Sequence, residues 1–264
     1  ATRPSIELLE DGLFKYHVDF ARLQPGDETA ALCVSRPTNP TGNVLTDDEI
    51  AHLDEIARQR EIPLIIDGAY GLPFPNILFT EARPHWNENT ILALSLSKLG
   101  LPGVRTGIIV AREEIIRAFT NANTIISLAA GTLGPALARA LFDSGEIISL
   151  TRDHVTPFYR ERSRQAVRWF REQLGDLPCH IHKPEGAIFL WLWLEGLPIT
   201  SQALYERLKT RGVLVVPGHN FFIGLGEDWP HRDECIRVSY AREEDAVKQG
   251  VGIIAEEIRR AYAE

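Results

Sequence analysis

The residues best suited to chemistry are Lys98, Asp67, Asn39 and Arg237, each set in a distinctive local sequence. Lys98 stands in SLSKLGLPGVR, a run of small residues and glycines. Such a run lets the backbone approach a phosphate. Ser95 and Arg105 could hold the oxygens, the arginine as a planar, bidentate clamp. Ser97 is a weaker candidate in the same segment. A lysine taken at random is a surface residue, and only this setting makes Lys98 a candidate. Asp67 closes the apolar run PLII, and Tyr70 follows it. An aspartate that caps a turn is common, and a lone tyrosine is ordinary core. The short apolar run that feeds directly into Asp67 favours function. Asn39 lies in NPTG, which reads equally well as a plain turn. Arg237 lies in IRVSY, where a structural ion pair is the alternative. His180 and His182 alternate along one run, but no third metal ligand accompanies them, so no metal site is expected.

These residues need elements to place them. The pattern predicts strands at 30–34, 63–66, 91–94 and 107–110. The turn-rich SRPTNPTGN follows the first. TDDE is a capping box for a helix over 46–60, with Thr46 as N-cap and Glu49 three residues on, and Ile50, Leu53 and Ile56 on one face. Further helices are expected across 113–122, 132–143 and 149–173. Wholly apolar strands suit a sheet covered on both faces. Strand–helix–strand alternation argues for an α/β fold with a mostly parallel sheet, in which ligands bind beyond the carboxyl ends of strands. Asn39, Asp67 and Lys98 all lie just past predicted strand ends. After about residue 175 the character changes. Strands at 180–182, 187–193, 213–216 and 236–240 alternate with helices at 200–211 and 243–262, as in a smaller α+β domain. The expected division is a cofactor-binding large domain over 1–150, then a linking helix and small domain over 151–264.

SRPTNPTGN, IIDGAYG, SLSKLGLPGVRTG and IRVSYA occur in that order, and together they resemble fold-type I aminotransferases. The runs PFPNILF, HKPEGAIFLWLW and RGVLVVPGHNFF resemble more narrowly the valine–pyruvate branch of that family. The resemblance covers essentially the whole chain. It implies pyridoxal 5′-phosphate as cofactor, with Lys98 as the amine that forms a Schiff base with its aldehyde and then moves the substrate's α-proton. It implies Asp67 against the pyridine nitrogen, keeping it protonated. Tyr70 and Asn39 would donate to the ring 3′-oxygen, and Ser95, Ser97 and Arg105 would take the phosphate. Arg237 would fork the substrate α-carboxylate, and Asn39 would also serve on the substrate side. His219, Asn220, Phe221 and Phe222 are read mainly as loop packing. Gly68 departs from the family, where a larger side chain is more usual. The implied reaction moves an amino group between a neutral amino acid, valine or alanine, and a 2-oxo acid, pyruvate, in a homodimer. Rival readings are a lyase or decarboxylase on the same scaffold and a sensor domain without catalysis. A sensor of that kind usually carries a basic DNA-binding module, and none is evident. The family's glycine-rich phosphate turn and stacking aromatic have no counterpart before residue 30. The sequence is therefore expected to begin partway into an incomplete large domain and to bind cofactor weakly by itself.

Composition agrees with a globular enzyme: 264 residues, 44% hydrophobic and 24% charged, with a formal net charge of -8. A mildly acidic surface without charge blocks argues against nucleic acid as partner, because phosphate backbones attract a basic face. No apolar run reaches the roughly 18 residues a membrane helix needs, and the start of the chain has no signal-peptide core. Cys33, Cys179 and Cys235 stand far apart and are expected to be buried free thiols of a cytoplasmic protein. The sequence contains no methionine.

Overall fold

A hairpin opens the chain, β1 (Ser5–Leu8) against β2 (Leu13–His17), antiparallel. It turns through Glu10–Gly12, where Asp11 takes the left-handed conformation at φ 58°. The structure is a computed structural model that describes residues 2–129 and 131–264. Next come β3 (Leu32–Ser35), α1 (Asp47–Gln59), β4 (Leu64–Asp67), β5 (Thr90–Ser95) and β6 (Gly107–Val110). Helices α2 (Glu113–Ser127), α3 (Leu133–Ser144), α4 (Glu146–Leu150) and α5 (Thr156–Leu174) follow. The chain closes with β7 (Cys179–His182), β8 (Phe189–Leu194), α6 (Ser201–Thr210), β9 (Val216–Pro217), β10 (Cys235–Ser239) and α7 (Glu244–Tyr262). The fold is α/β. Among the described residues no helix is long and apolar enough to cross a membrane.

Contacts divide the chain into two units. One comprises Pro25–Thr38 and Val44–Phe158, and is called the strand-end unit below. The other comprises the segment up to Gln24, the short loop Asn39–Asn43 and Tyr159–Glu264, and is called the closing unit.

In the strand-end unit the sheet order is β3-β4-β5-β6. The first three strands run parallel and β6 is antiparallel to β5. Helix α1 begins as the sequence predicts: Thr46 Oγ1 accepts from the Glu49 N–H and the Glu49 carboxylate accepts from the Thr46 N–H. Its buried face runs Ile50, Leu53 and Ala57, so Ala57 rather than Ile56 completes it. The linking helix is longer than expected, because α4 and α5 are joined through a π turn at Thr151–Val155.

In the closing unit the sheet order is β1-β2-β7-β8-β10-β9. The central strand β8 reads FLWLWL. Leu190, Leu192 and Leu194 pack with Phe170, Leu204, Leu208, Ile254 and Ile258 from α5, α6 and α7. Trp191, on the opposite face, packs with Phe14, Tyr16, Trp229 and Cys235. Alternation of this kind places every second residue on one face.

Residues up to Gln24 pack with the C-terminal elements, because β2 pairs in parallel with β7 at Leu13–Ile181 and Phe14–His182. Two expectations need correction. The strand expected over 213–216 reduces to Val216–Pro217 at the sheet edge, where Pro217 has no N–H to extend a ladder. Of the three cysteines only Cys235 is buried; Cys33 is exposed and Cys179 is half-buried, all with free thiols.

Candidate active site

The parallel ladder aligns Ser35 with Asp67 and Asp67 with Ala93, so the carboxyl ends of β3, β4 and β5 come together. Asp67 is half-buried there. Its Oδ1 accepts from the Ala69 N–H at 3.0 Å and its Oδ2 from Ser35 Oγ at 3.3 Å. The charge is felt locally: burial and then the Asp67 carboxylate raise the pKa of the Cys33 thiol. Beyond Asp67 the backbone runs hard against β5, with the Gly68 N–H donating to Ala93 O at 2.7 Å. A Cβ at Gly68 would lie 3.0 Å from Leu94 Cδ2 and 3.2 Å from Ala93 O. A side chain at this position would therefore need Leu94 and β5 to give by a few tenths of an ångström.

Tyr70 is buried, and Lys98 Nζ lies over its ring, 5.1 Å from the centroid. Lys98 rides on the 3₁₀ turn Ser97–Leu99 that follows β5, ended by Gly100 at φ 86°. Ser95 Oγ accepts from the Ser97 N–H at 3.2 Å, which tightens the same turn. Arg105 ends the next turn, exposed and in the left-handed region at φ 47°. Ser95 thus ends β5, and Ser97, Lys98 and Arg105 share the loop that joins it to β6.

The closing unit holds the other candidates. Arg237 sits on β10, opposite Trp191 of β8 and Val216 of β9. Its guanidinium lies between two rings, 5.0 Å from the Phe189 centroid and 5.1 Å from that of Phe221. Arg237 Nη1 donates to Asn39 Oδ1 at 2.6 Å. A guanidinium is a donor only, so it fixes the amide with its oxygen toward Arg237 and leaves Nδ2 as a donor on the other side. His219 faces Asp233 at 4.0 Å and Asn220 Nδ2 donates to Pro217 O at 3.2 Å, so both pack the loop. Phe222 joins Trp191, Trp229 and His231. His180 pairs with Glu195 at 3.0 Å, and His182 Nε2 accepts from the Tyr16 N–H.

Sequence reasoning missed Ser35, which holds Asp67, and Phe189, and it read Phe221 mainly as loop packing, whereas that ring lies 5.1 Å from the Arg237 guanidinium. Ser35 opens SRPTNPTGN, but nothing local says it will stand beside an aspartate 32 positions on.

The sequence profile of the aminotransferase class I and II family matches residues 14–254. The chain belongs to that family. Over 264 residues it is 56% identical to valine–pyruvate aminotransferase of Escherichia coli strain K12, covering 100% of this chain and 63% of that protein. The crystal structure of valine–pyruvate aminotransferase from Salmonella typhimurium LT2 superposes with TM-score 0.96 at 56% identity, over 99% of this chain and 68% of that one. A putative amino-acid aminotransferase from Psychrobacter arcticum 273-4 does so with TM-score 0.96 at 48% identity, over 99% of this chain and 62% of that one. This aminotransferase chain therefore spans somewhat under two thirds of the E. coli relative's length.

The residues present fit the cofactor that the family implies. Pyridoxal 5′-phosphate presents an aldehyde, a ring nitrogen, a ring oxygen and a phosphate. The strand-end unit offers an amine at Lys98, a carboxylate at Asp67, a phenol at Tyr70, and hydroxyl and guanidinium groups at Ser95, Ser97 and Arg105. In the closing unit the amide of Asn39, turned by Arg237, keeps its N–H groups as donors.

Proposed function

We propose that the protein containing this chain transfers an amino group between a neutral amino acid, valine or alanine, and a 2-oxo acid, pyruvate, with pyridoxal 5′-phosphate. The observation that carries the reading is the pairing of Lys98 Nζ with the Tyr70 face, beside an Asp67 carboxylate held at the strand ends. The 56% identity to the E. coli enzyme supports the substrate pair. When bound, the cofactor supplies an aldehyde to carry the amino group and a pyridine ring to accept electrons.

The chain's own residues do the rest. Asp67 holds a proton on the ring nitrogen, with its carboxylate oriented by Ser35 and the Ala69 N–H. Tyr70 Oη and Asn39 Nδ2 donate to the ring oxygen and stabilise its negative charge. Ser95, Ser97 and Arg105 hold the phosphate, Arg105 as a charged fork. Arg237 takes the α-carboxylate common to amino acid and oxo acid, which orients both alike. Lys98 Nζ accepts the α-proton and returns it, a transfer worth about 10²–10⁴ in rate for a well-placed base. A homodimer in the cytoplasm completes the reading.

The test is to add pyridoxal 5′-phosphate to the purified protein, reduce with borohydride and map the peptides, alongside a valine–pyruvate turnover assay. The expected result is label on Lys98 and formation of alanine. A label on another lysine, or valine turnover without any need for pyruvate, overturns the reading.

A further inference from the structure

In the closing unit, Lys15 of β2 and Glu185 of the turn between β7 and β8 are both buried, their side chains 7% and 4% exposed, and they form an ion pair. Lys15 Nζ also donates to Asn43 Oδ1 at 2.8 Å. Lys183 Nζ approaches the other Glu185 oxygen at 3.2 Å. A buried ion pair is poor evidence for stability, because apolar residues of like volume serve as well or better; fixing register is its better-attested use. The question is therefore what this pair fixes.

It ties three segments that are remote in sequence, with Lys15 lying 28 positions from Asn43 and 170 from Glu185. The loop Asn39–Asn43 is the only part of its stretch of chain assigned to the closing unit. Its backbone lies directly on the Glu185–Ala187 turn: Gly42 has φ +72°, and a Cβ there would meet Gly186 O at 2.7 Å. Asn39, at the other end of this loop, takes the hydrogen bond from Arg237. Phe189, just past the same turn, lays its ring on the Arg237 guanidinium. Two of the three side chains about Arg237, Asn39 and Phe189, therefore lead back to the segments that Lys15 joins, and the third, Phe221, does not.

We propose that Lys15, with Glu185 and Asn43, is a positioning device for the carboxylate-binding half of the site. The buried ammonium holds the loop so that Asn39 stays against Arg237 and the Asn39 N–H donors keep their direction. All three residues are buried, and they act through the loop rather than through a face of their own. The proposal rests on reading Arg237 as the carboxylate fork.

Asn43→Ala tests it, because that change cuts the tie between ammonium and loop and leaves the ion pair in place. Expected in the cofactor-loaded protein is a parallel rise of about tenfold in the Michaelis constants for valine and pyruvate, with kcat within about twofold of the parent. Asn43→Asp keeps an acceptor for Lys15 and should restore both constants. Amide exchange over 39–43 should quicken in Asn43→Ala without cofactor or substrate, while exchange in β8 stays as it was. Unchanged Michaelis constants, a kcat loss alone, or an Asn43→Asp variant as impaired as Asn43→Ala overturns the proposal. If Asn43→Ala does not fold, Asn43→Ser, whose shorter side chain falls short of Lys15, takes its place in every comparison. A parent protein inactive on neutral amino acids with pyruvate counts against the proposed function. The exchange comparison then decides the positioning proposal by itself, faster exchange supporting it and equal exchange refuting it.

Discussion

The two units hold their candidate residues by different physical means. In the closing unit, Arg237 lies on a strand flanked by β8 and β9, above a core in which Trp191, Leu192 and Ile236 are 0% exposed. Rings and the Asn39 amide then fix its guanidinium. In the strand-end unit, Asp67 is held by two hydrogen bonds at a strand end, and Lys98 and Arg105 stand on a loop. The surroundings differ as well. No residue of α2 is buried, and Ile125 and Ile126 are more than 80% exposed. Packing therefore sets Arg237, whereas local hydrogen bonds and turn geometry set Asp67, Lys98 and Arg105. It follows that damage to the first should appear as lost stability or weakened substrate binding, and damage to the second as lost chemistry on an intact fold.

The largest effect expected is at Asp67. Asp67→Asn keeps the shape and loses the charge, and should lower kcat by about 10³-fold, within the range for a group that controls proton position. The melting temperature should move little, since the carboxylate is only half-buried. A variant that unfolds, or one that turns over like the parent, breaks the comparison on this side.

Leu192→Ala should do the opposite. Its side chain is fully buried between α5, α6 and α7, so the cavity should cost about 2–5 kcal/mol in a urea melt. Cofactor binding by the strand-end unit should persist wherever the protein is still folded.

Acid should also separate the units. Burial lowers the His182 and His231 imidazoles from 6.5 to about 3 in the folded chain. His182 Nδ1 donates to Lys183 O at 2.8 Å while Nε2 accepts from the Tyr16 N–H, an arrangement only the neutral ring can make. Because the folded values lie below the unfolded one, their contribution is whole above about pH 6.5. It is lost as pH falls toward 3, at roughly 1.4 kcal/mol per pH unit for each ring. Both histidines belong to the closing unit, which also holds four of the five tryptophans, Trp169, Trp191, Trp193 and Trp229, so tryptophan fluorescence should show a lower melting temperature at pH 5 than at pH 7. Equal melting temperatures at those two pH values would sink this expectation.

The smallest effect sharpens the comparison most. Arg237→Lys retains the charge but loses the planar fork and the stacking on Phe189 and Phe221. Michaelis constants for amino acid and oxo acid should rise together by about tenfold. A change in only one of them would argue that Arg237 reads the side chain rather than the carboxylate.

The sequence by itself determined the elements and much of the site. Apolar runs and turn residues are local signals, so β3 to β6, the capping box at Thr46 and the place of Lys98 beyond a strand end were legible without a fold, while Asp67, expected just past its strand, is the last residue of β4. The tertiary structure alone decided how distant segments pair. Nothing local in residues 2–24 announces a parallel partner at β7, and nothing in NPTGN announces that Asn39–Asn43 packs with elements more than a hundred residues on. Lys15 and Glu185 read as ordinary surface charges in a sequence, because charged residues are seldom buried unless paired. Ser35 reads as part of a turn, and Phe189 as one more core aromatic. Their roles follow from hydrogen bonds and ring contacts between distant segments, which depend on how each sheet assembles and leave no periodicity along the chain.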